Sequence, residues 1–162
     1  MAPMNIEGAR LVPLMVHEDD RGYLFEIVHT SDMYVSGAGA EIRQVYCVGD
    51  RLERIVRAFH KHDELHDWFC IVKGAASFVL VDDRPKSPSY QRTDQVVCSA
   101  RSPKLLVVPP GVYHGWMSLE PDTILISTAS QEYNRATPDE HRLPPHAFDA
   151  LLGANPWEIK GK

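Results

Sequence analysis

Short apolar segments, five to eight residues long and closed by turn residues, constrain this chain more than anything else in it. They run near 10–17, 22–29, 41–48, 53–60, 67–73, 76–82, 94–99, 104–108 and 122–128. Valine, isoleucine and aromatic residues are frequent in them, and such side chains suit a pleated, half-buried surface. Between them stand Asp19-Asp20-Arg21-Gly22, Gly49-Asp50, Lys73-Gly74, the run from Asp82 to Ser89, Ser102-Pro103 and Pro109-Pro110-Gly111. Segments of this length at such intervals predict an antiparallel sandwich or barrel. Only His146 to Leu152, entered after Pro144-Pro145 and stopped by Gly153, reads as a helix. The polar stretch 130–143 reads as an ordered loop. The expected class is therefore all-β with a short C-terminal helix, and a jelly roll is the arrangement that manages so many strand edges.

The chain has 162 residues, 44% of them hydrophobic, which is material for one domain, 1–162, with a core of its own. Its net charge is −5, with 17 basic and 22 acidic residues, and no Lys/Arg block exceeds two. A nucleic-acid surface is not expected from that balance, although a few local arginines can still hold a small anion. Cys47, Cys70 and Cys98 stand singly, the pattern of reduced cysteines in a cytoplasmic protein. No apolar stretch reaches 18 residues, so neither a membrane span nor a secretion signal is expected.

The chemistry concentrates in two segments, RAFHKHDELHDWFCIVKG at 57–74 and PPGVYHGW at 109–116. His60 and His62 are separated by one residue, so on a strand both side chains point to one face while Phe59 points to the other. Trp68 alternates with Asp67 and would face the other way, into the core. Pro109-Pro110-Gly111 supplies a tight turn that would aim His114 inward. Imidazoles plus a carboxylate suit Zn, Fe, Ni or Mn, so His60, His62, Asp67 and His114 form a candidate metal set. A bland reading stands beside it, in which the same side chains line a pocket without metal. The two spacings resemble the paired motifs of the cupin superfamily, and the resemblance implies a double-stranded β-helix with these residues facing its interior.

A second set of residues is more specific. Asp19-x-Arg21-Gly22-x-x-x-Glu26, Gln44, Arg57-x-x-His60, Asp82-x-Arg84-x-x-Ser87-Pro88-Ser89-Tyr90 and Pro109-x-Gly111-x-x-His114-Gly115 occur in one order. This combination resembles the dTDP-4-dehydrorhamnose 3,5-epimerase family over about residues 15–140. His60-Lys61-His62 is also similar to the His-x-His of the related dTDP-sugar 3,4-ketoisomerases. The resemblance implies an isomerase acting on a nucleotide-linked 4-keto-6-deoxysugar, without a required cofactor, and a homodimer in which a strand of each protomer completes its partner's pocket. It places the base at His60, the acid at Tyr133 and substrate contacts at Arg21, Glu26, Gln44 and Arg57. The catalytic set under this reading is His60, Tyr133 and His114, with His62, Arg84 and Trp116 as further substrate contacts. A ketone acidifies the protons on its neighbouring carbons, so the reaction needs a base, an enolate stabiliser and a proton donor.

Three positions differ from the family pattern. Asp67 stands where the family has a lysine, Ala58 replaces a glycine, and Arg142-Leu143-Pro144-Pro145 stands where a Trp-Asn-Asp-Pro stretch would carry the aspartate that orients the base. A divalent ion at the histidine set would supply the missing positive charge; a changed acid–base arrangement is the other resolution. Two further readings remain: a metal-dependent cupin oxygenase or lyase acting on a small organic acid, and a binding module without turnover. Locally, Arg21 and Glu26 also read as a hairpin salt bridge, and Arg84 as a cap on the Asp82-Asp83 turn.

Overall fold

In the computed structural model, which describes residues 4–159, the apolar segments, joined by two strands outside them at Val112–Ser118 and, within the expected loop, at His141–Arg142, form two five-stranded antiparallel sheets and a separate hairpin. One sheet has the order β1 (Arg10–Pro13), β9 (Lys104–Val108), β6 (Asp67–Lys73), β11 (Thr123–Ala129), β4 (Gln44–Asp50). The other has the order β12 (His141–Arg142), β5 (Val56–Lys61), β10 (Val112–Ser118), β7 (Ala75–Asp82), β8 (Thr93–Ser99). The hairpin pairs β2 (Val16–Asp19) with β3 (Gly22–Phe25). Consecutive strands such as β5 and β6 lie in different sheets, which is the winding of a jelly roll, so the expected fold class holds. The C-terminal helix α1 is shorter than its sequence signal, Asp149–Leu152, and ends on Gly153 in the left-handed conformation.

Burial explains why β6 and β7 read as continuous apolar runs. Inside the sandwich, Phe69, Ile71, Phe78, Leu80, Leu106, Leu125 and Trp116 form one cluster. Outside the β5–β10–β7 sheet, Phe59, Val79, Val81 and Met117 are covered by Phe148, Leu152 and Trp157 from the C-terminal segment. Outside the other sheet, Trp68, Cys70, Leu105 and Val107 are covered by the stretch that includes Phe25, Ile27, Val35 and Ile42. Both faces of the central strands are thus dry, and alternation disappears from their sequence. Trp68 is fully buried in the outer cluster, opposite Asp67, as the strand period requires.

The same covering layer ends the 22–29 segment early. After Phe25 the chain leaves its strand and lies across Trp68, so Ile27 and Val28 are apolar for packing rather than for pairing. The 3-10 turn at Ser36–Ala38 belongs to this layer. One close approach is sterically enforced. A Cβ on Gly115 would lie 2.4 Å from the Ala58 Cβ, so the alanine that replaces the family's glycine is accommodated by a glycine on the neighbouring strand.

Candidate functional site

The core fills only part of the sandwich. The remainder is an open cavity of about 1440 Å³, lined from β4 by Gln44, Tyr46 and Val48, and from β5 by Arg57 and His60. His62, Asp67, Phe69, His114 and Trp116 complete its inner wall, and the loop from Gln131 to Pro144 forms its rim. That volume exceeds the ~300–1,000 Å³ of drug-sized ligand sites, so a nucleotide-linked sugar can be admitted.

His60 and His114 face each other across the β5–β10 pair, with ring centroids 6.3 Å apart. His60 Nδ1 lies 2.7 Å from Glu140 Oε1, and Arg142 donates to Glu140 Oε2 at 2.8 Å. Burial alone would raise the Glu140 carboxyl, but the hydrogen bonds from Arg142 and His60 outweigh it and hold it below the usual range. Glu140 is therefore an ionised acceptor. It fixes the neutral imidazole with its proton on Nδ1 and its lone pair on Nε2. The carboxylate that the sequence lacks at Arg142-Leu143-Pro144-Pro145 is thus supplied two residues upstream of Arg142. Nothing in the local motif pointed to Glu140; its contact with His60 spans 80 residues.

His62, Asp67 and His114 form a second group. Asp67 Oδ2 lies 3.5 Å from His62 Nε2 and 3.7 Å from His114 Nε2, and the three ligand atoms all lie within 4.8 Å of one another. His62 Nδ1 bonds the Asp139 carbonyl, and His114 Nδ1 bonds the Val112 carbonyl. Carbonyls only accept, so both Nδ1 atoms carry hydrogens and, in the neutral rings, both Nε2 lone pairs converge on the carboxylate. Burial pushes the Asp67 carboxyl up to about 7, against the field of His62, and pushes His114 down to about 3. Three such groups meeting in a buried corner, with carbonyls behind two of them, could hold a divalent ion. The shorter Asp67 side chain does reach the two histidines. His60 is not in that group, so of the four expected candidates the structure brings three together; its Nδ1 lies against Glu140 instead.

The other expected residues divide by location. Arg57 reaches the cavity, held by two contacts to buried Asp50 (Nε at 2.8 Å, NH2 at 2.7 Å) and stacked 5.9 Å above Trp116. Gln44 accepts the Tyr133 backbone N–H at 2.7 Å, tying the rim loop to β4. Tyr133 lines the rim but is 61% exposed. Arg21 and Glu26 do not line this cavity: Arg21 pairs with Asp19 at the tip of the exposed hairpin, and Glu26 pairs with His29. The expected Arg21–Glu26 bridge is therefore absent among the described residues. Arg84 is also outside the cavity. Its guanidinium holds buried Asp82 at 2.7 and 2.8 Å, and NH2 also donates to the Glu7 carbonyl at 2.7 Å, so the turn-cap reading replaces the ligand reading. Stripping a partner from such a buried pair costs roughly 3–5 kcal/mol, a commitment that a substrate would have to reverse.

Known proteins match this architecture. The dTDP-4-dehydrorhamnose 3,5-epimerase family model matches residues 3–148. The spore coat polysaccharide biosynthesis protein SpsL of Bacillus subtilis is 32% identical over 156 residues, 96% of this chain and 98% of that protein. A dTDP-4-dehydrorhamnose 3,5-epimerase of Mycobacterium tuberculosis is 26% identical over 135 residues, 81% of this chain and 66% of that protein. Among solved structures, ChmJ, a 3'-monoepimerase from Streptomyces bikiniensis in complex with dTDP-quinovose, superposes with a TM-score of 0.81 at 26% identity. That match covers 94% of this chain and 77% of ChmJ. With a matching family model over most of its length and a full-length relative above 30% identity, the chain belongs to the dTDP-4-dehydrorhamnose 3,5-epimerase family.

Proposed function

We propose that the cavity isomerises a nucleotide-linked 4-keto-6-deoxysugar, as an epimerase or a ketoisomerase, with His60 removing a proton beside the ketone. Family membership makes the chain an isomerase of this type and does not favour an oxygenase or lyase acting on a small organic acid. The observation that carries the mechanism is the His60–Glu140 contact, which supports a bare Nε2 turned toward the substrate space. A base whose proton sits on the far nitrogen is ready to accept another. Arg57, anchored by Asp50 and Trp116, suits a phosphate of the nucleotide, with Gln44, His62 and Trp116 as further contacts. Tyr133 is the rim-side acid, and His114 acts through the inner group. Loss of catalysis is disfavoured because a carboxylate again supports the base.

In deuterated water with dTDP-4-keto-6-deoxyglucose, we expect NMR to show deuterium entering at a carbon next to the ketone. No exchange with this or any other nucleotide-linked keto sugar would end this reading.

Two finer parts belong to the same proposal. His62, Asp67 and His114 would hold Zn, Fe, Ni or Mn, which when bound supplies the positive charge that Asp67 removes from the family's lysine position. A second copy of the chain would take up the hairpin, where Met15, Val16, Tyr23 and Leu24 are exposed and neither sheet pairs with β2 or β3. Arg21 and Glu26 would then serve the partner's pocket. We place this unit, 1–162, in the cytoplasm, consistent with three free cysteines and with no helix long and apolar enough to cross a membrane among the described residues. Native mass spectrometry of protein purified without a histidine tag reads both finer parts. The expected mass is a dimer with one divalent ion per chain; a metal-free species removes the first part and a monomer the second.

A further inference from the structure

The isomerase reading leaves the enolate oxygen without an obvious protein donor. The family's lysine position is Asp67, whose carboxylate repels developing negative charge. The two arginines on the cavity wall have other tasks in that reading: Arg57, anchored on Asp50 at 2.7 Å, meets a phosphate, and Arg142 binds Glu140 at 2.8 Å. Tyr133 sits on the rim loop, 61% exposed. One further tyrosine lines the cavity.

Tyr46 lies mid-strand on β4, paired across to Ser127, which in turn pairs with Phe69 on β6. Gln44, Tyr46 and Val48 alternate into the cavity while Val45, 61% exposed, points away. Tyr46 thus projects from the wall that bears Asp67, and His60 projects from the facing sheet. We infer that Tyr46 is a catalytic residue of this site, its hydroxyl donating a hydrogen bond to the sugar's ketone oxygen and to the enolate oxygen formed from it. A phenol holds its proton at neutral pH, and partial burial and the Asp67 carboxylate raise this one further. The inference rests on the isomerase reading, and its assignment of Tyr46 is independent of whether an ion occupies the neighbouring triad.

The step balances without a co-reactant. His60 Nε2 takes the proton, the C–H electron pair becomes the C=C bond, and the carbonyl pair moves onto oxygen. Return of a proton to carbon reverses this, and Tyr46 keeps its own proton throughout. Enolates formed at C3 and at C5 of a 4-keto sugar share the oxygen on C4. A donor to that oxygen therefore serves both carbons, whereas an acid or base placed at one carbon serves one.

Tyr46→Phe tests this. Removing one preorganised donor of this kind lowers turnover by about 10²–10³-fold. We expect that loss in kcat with KM and dTDP affinity within about threefold, and exchange at C3 and C5 falling by the same factor wherever the wild type shows both. Tyr133→Phe, measured beside it, should not slow both carbons equally. If the wild type exchanges and Tyr46→Phe keeps kcat within about threefold, or loses exchange at one carbon only, the assignment fails while the isomerase reading stands. A wild type that shows no exchange overturns both.

Discussion

His60→Ala is expected to lower solvent exchange beside the ketone by about 10³-fold while dTDP still binds with near-native affinity. General bases contribute roughly 10²–10⁴-fold when correctly placed, and this one has no substitute on its own sheet. His114, its cross-strand neighbour, turns Nδ1 to the Val112 carbonyl and Nε2 to Asp67, so its lone pair is not directed at substrate. His62 is engaged in the same inner group. The nucleotide contacts proposed above do not pass through His60: Arg57 is fixed by Asp50 and Trp116, and Gln44 belongs to β4. Titrating dTDP and following exchange by NMR on the same preparation separates the two properties. Retention of more than about a tenth of wild-type exchange would remove His60 from the role of base.

How much of this site could be read beforehand depended on whether the signal was periodic. His60 and His62 were legible because a strand's period of two forces them onto one face, and Trp68 was legible as the opposite of its neighbour Asp67 for the same reason. His114 was marked by the Pro109-Pro110-Gly111 turn, whose Gly111 adopts φ +77 and would place a Cβ against the Arg84 side chain. Arg84, by contrast, lies in a recognisable motif but uses its fork on Asp82, and sequence spacing carries no information about which partner a guanidinium chooses. Tyr46 was hidden inside an apolar-looking run, Val45-Tyr46-Cys47-Val48; once Gln44 is placed inward, alternation puts Tyr46 inward too. The hairpin's separation from both sheets was not legible, since an exposed strand pair and a buried one share the same residue types. Glu140 was the least accessible. Its loop has no periodicity, and Asp139 seats it by accepting the backbone N–H groups of Asp63, Glu64 and Leu65, contacts that exist only after β5 and the rim loop have come together.

That last residue carries the second large effect. In Glu140→Gln the amide can present its NH2 group to His60 Nδ1, where the carboxylate presented only acceptors. The favoured neutral imidazole then carries its proton on Nε2, the atom that must be bare to take a proton from the sugar. A change confined to tautomer and orientation, in an otherwise unaltered triad, can cost as much as ~10⁴-fold. Here Arg142 would also lose its charged partner at 2.8 Å, although it is 70% exposed and can turn to water. We expect kcat to fall by about 10²–10⁴-fold with KM little changed. Glu140→Asp should recover part of that loss, because the acceptor charge returns at a shorter reach. A purely structural role predicts otherwise: Gln, the closer match in size, should then outperform Asp, and melting temperature should fall in parallel with activity. Steady-state kinetics of the two variants, read beside their melting curves, decide between these. If Glu140→Gln keeps kcat within about fivefold of wild type, the carboxylate does not set the base's tautomer, and the orientation of His60 must come from the cross-strand packing against His114 alone.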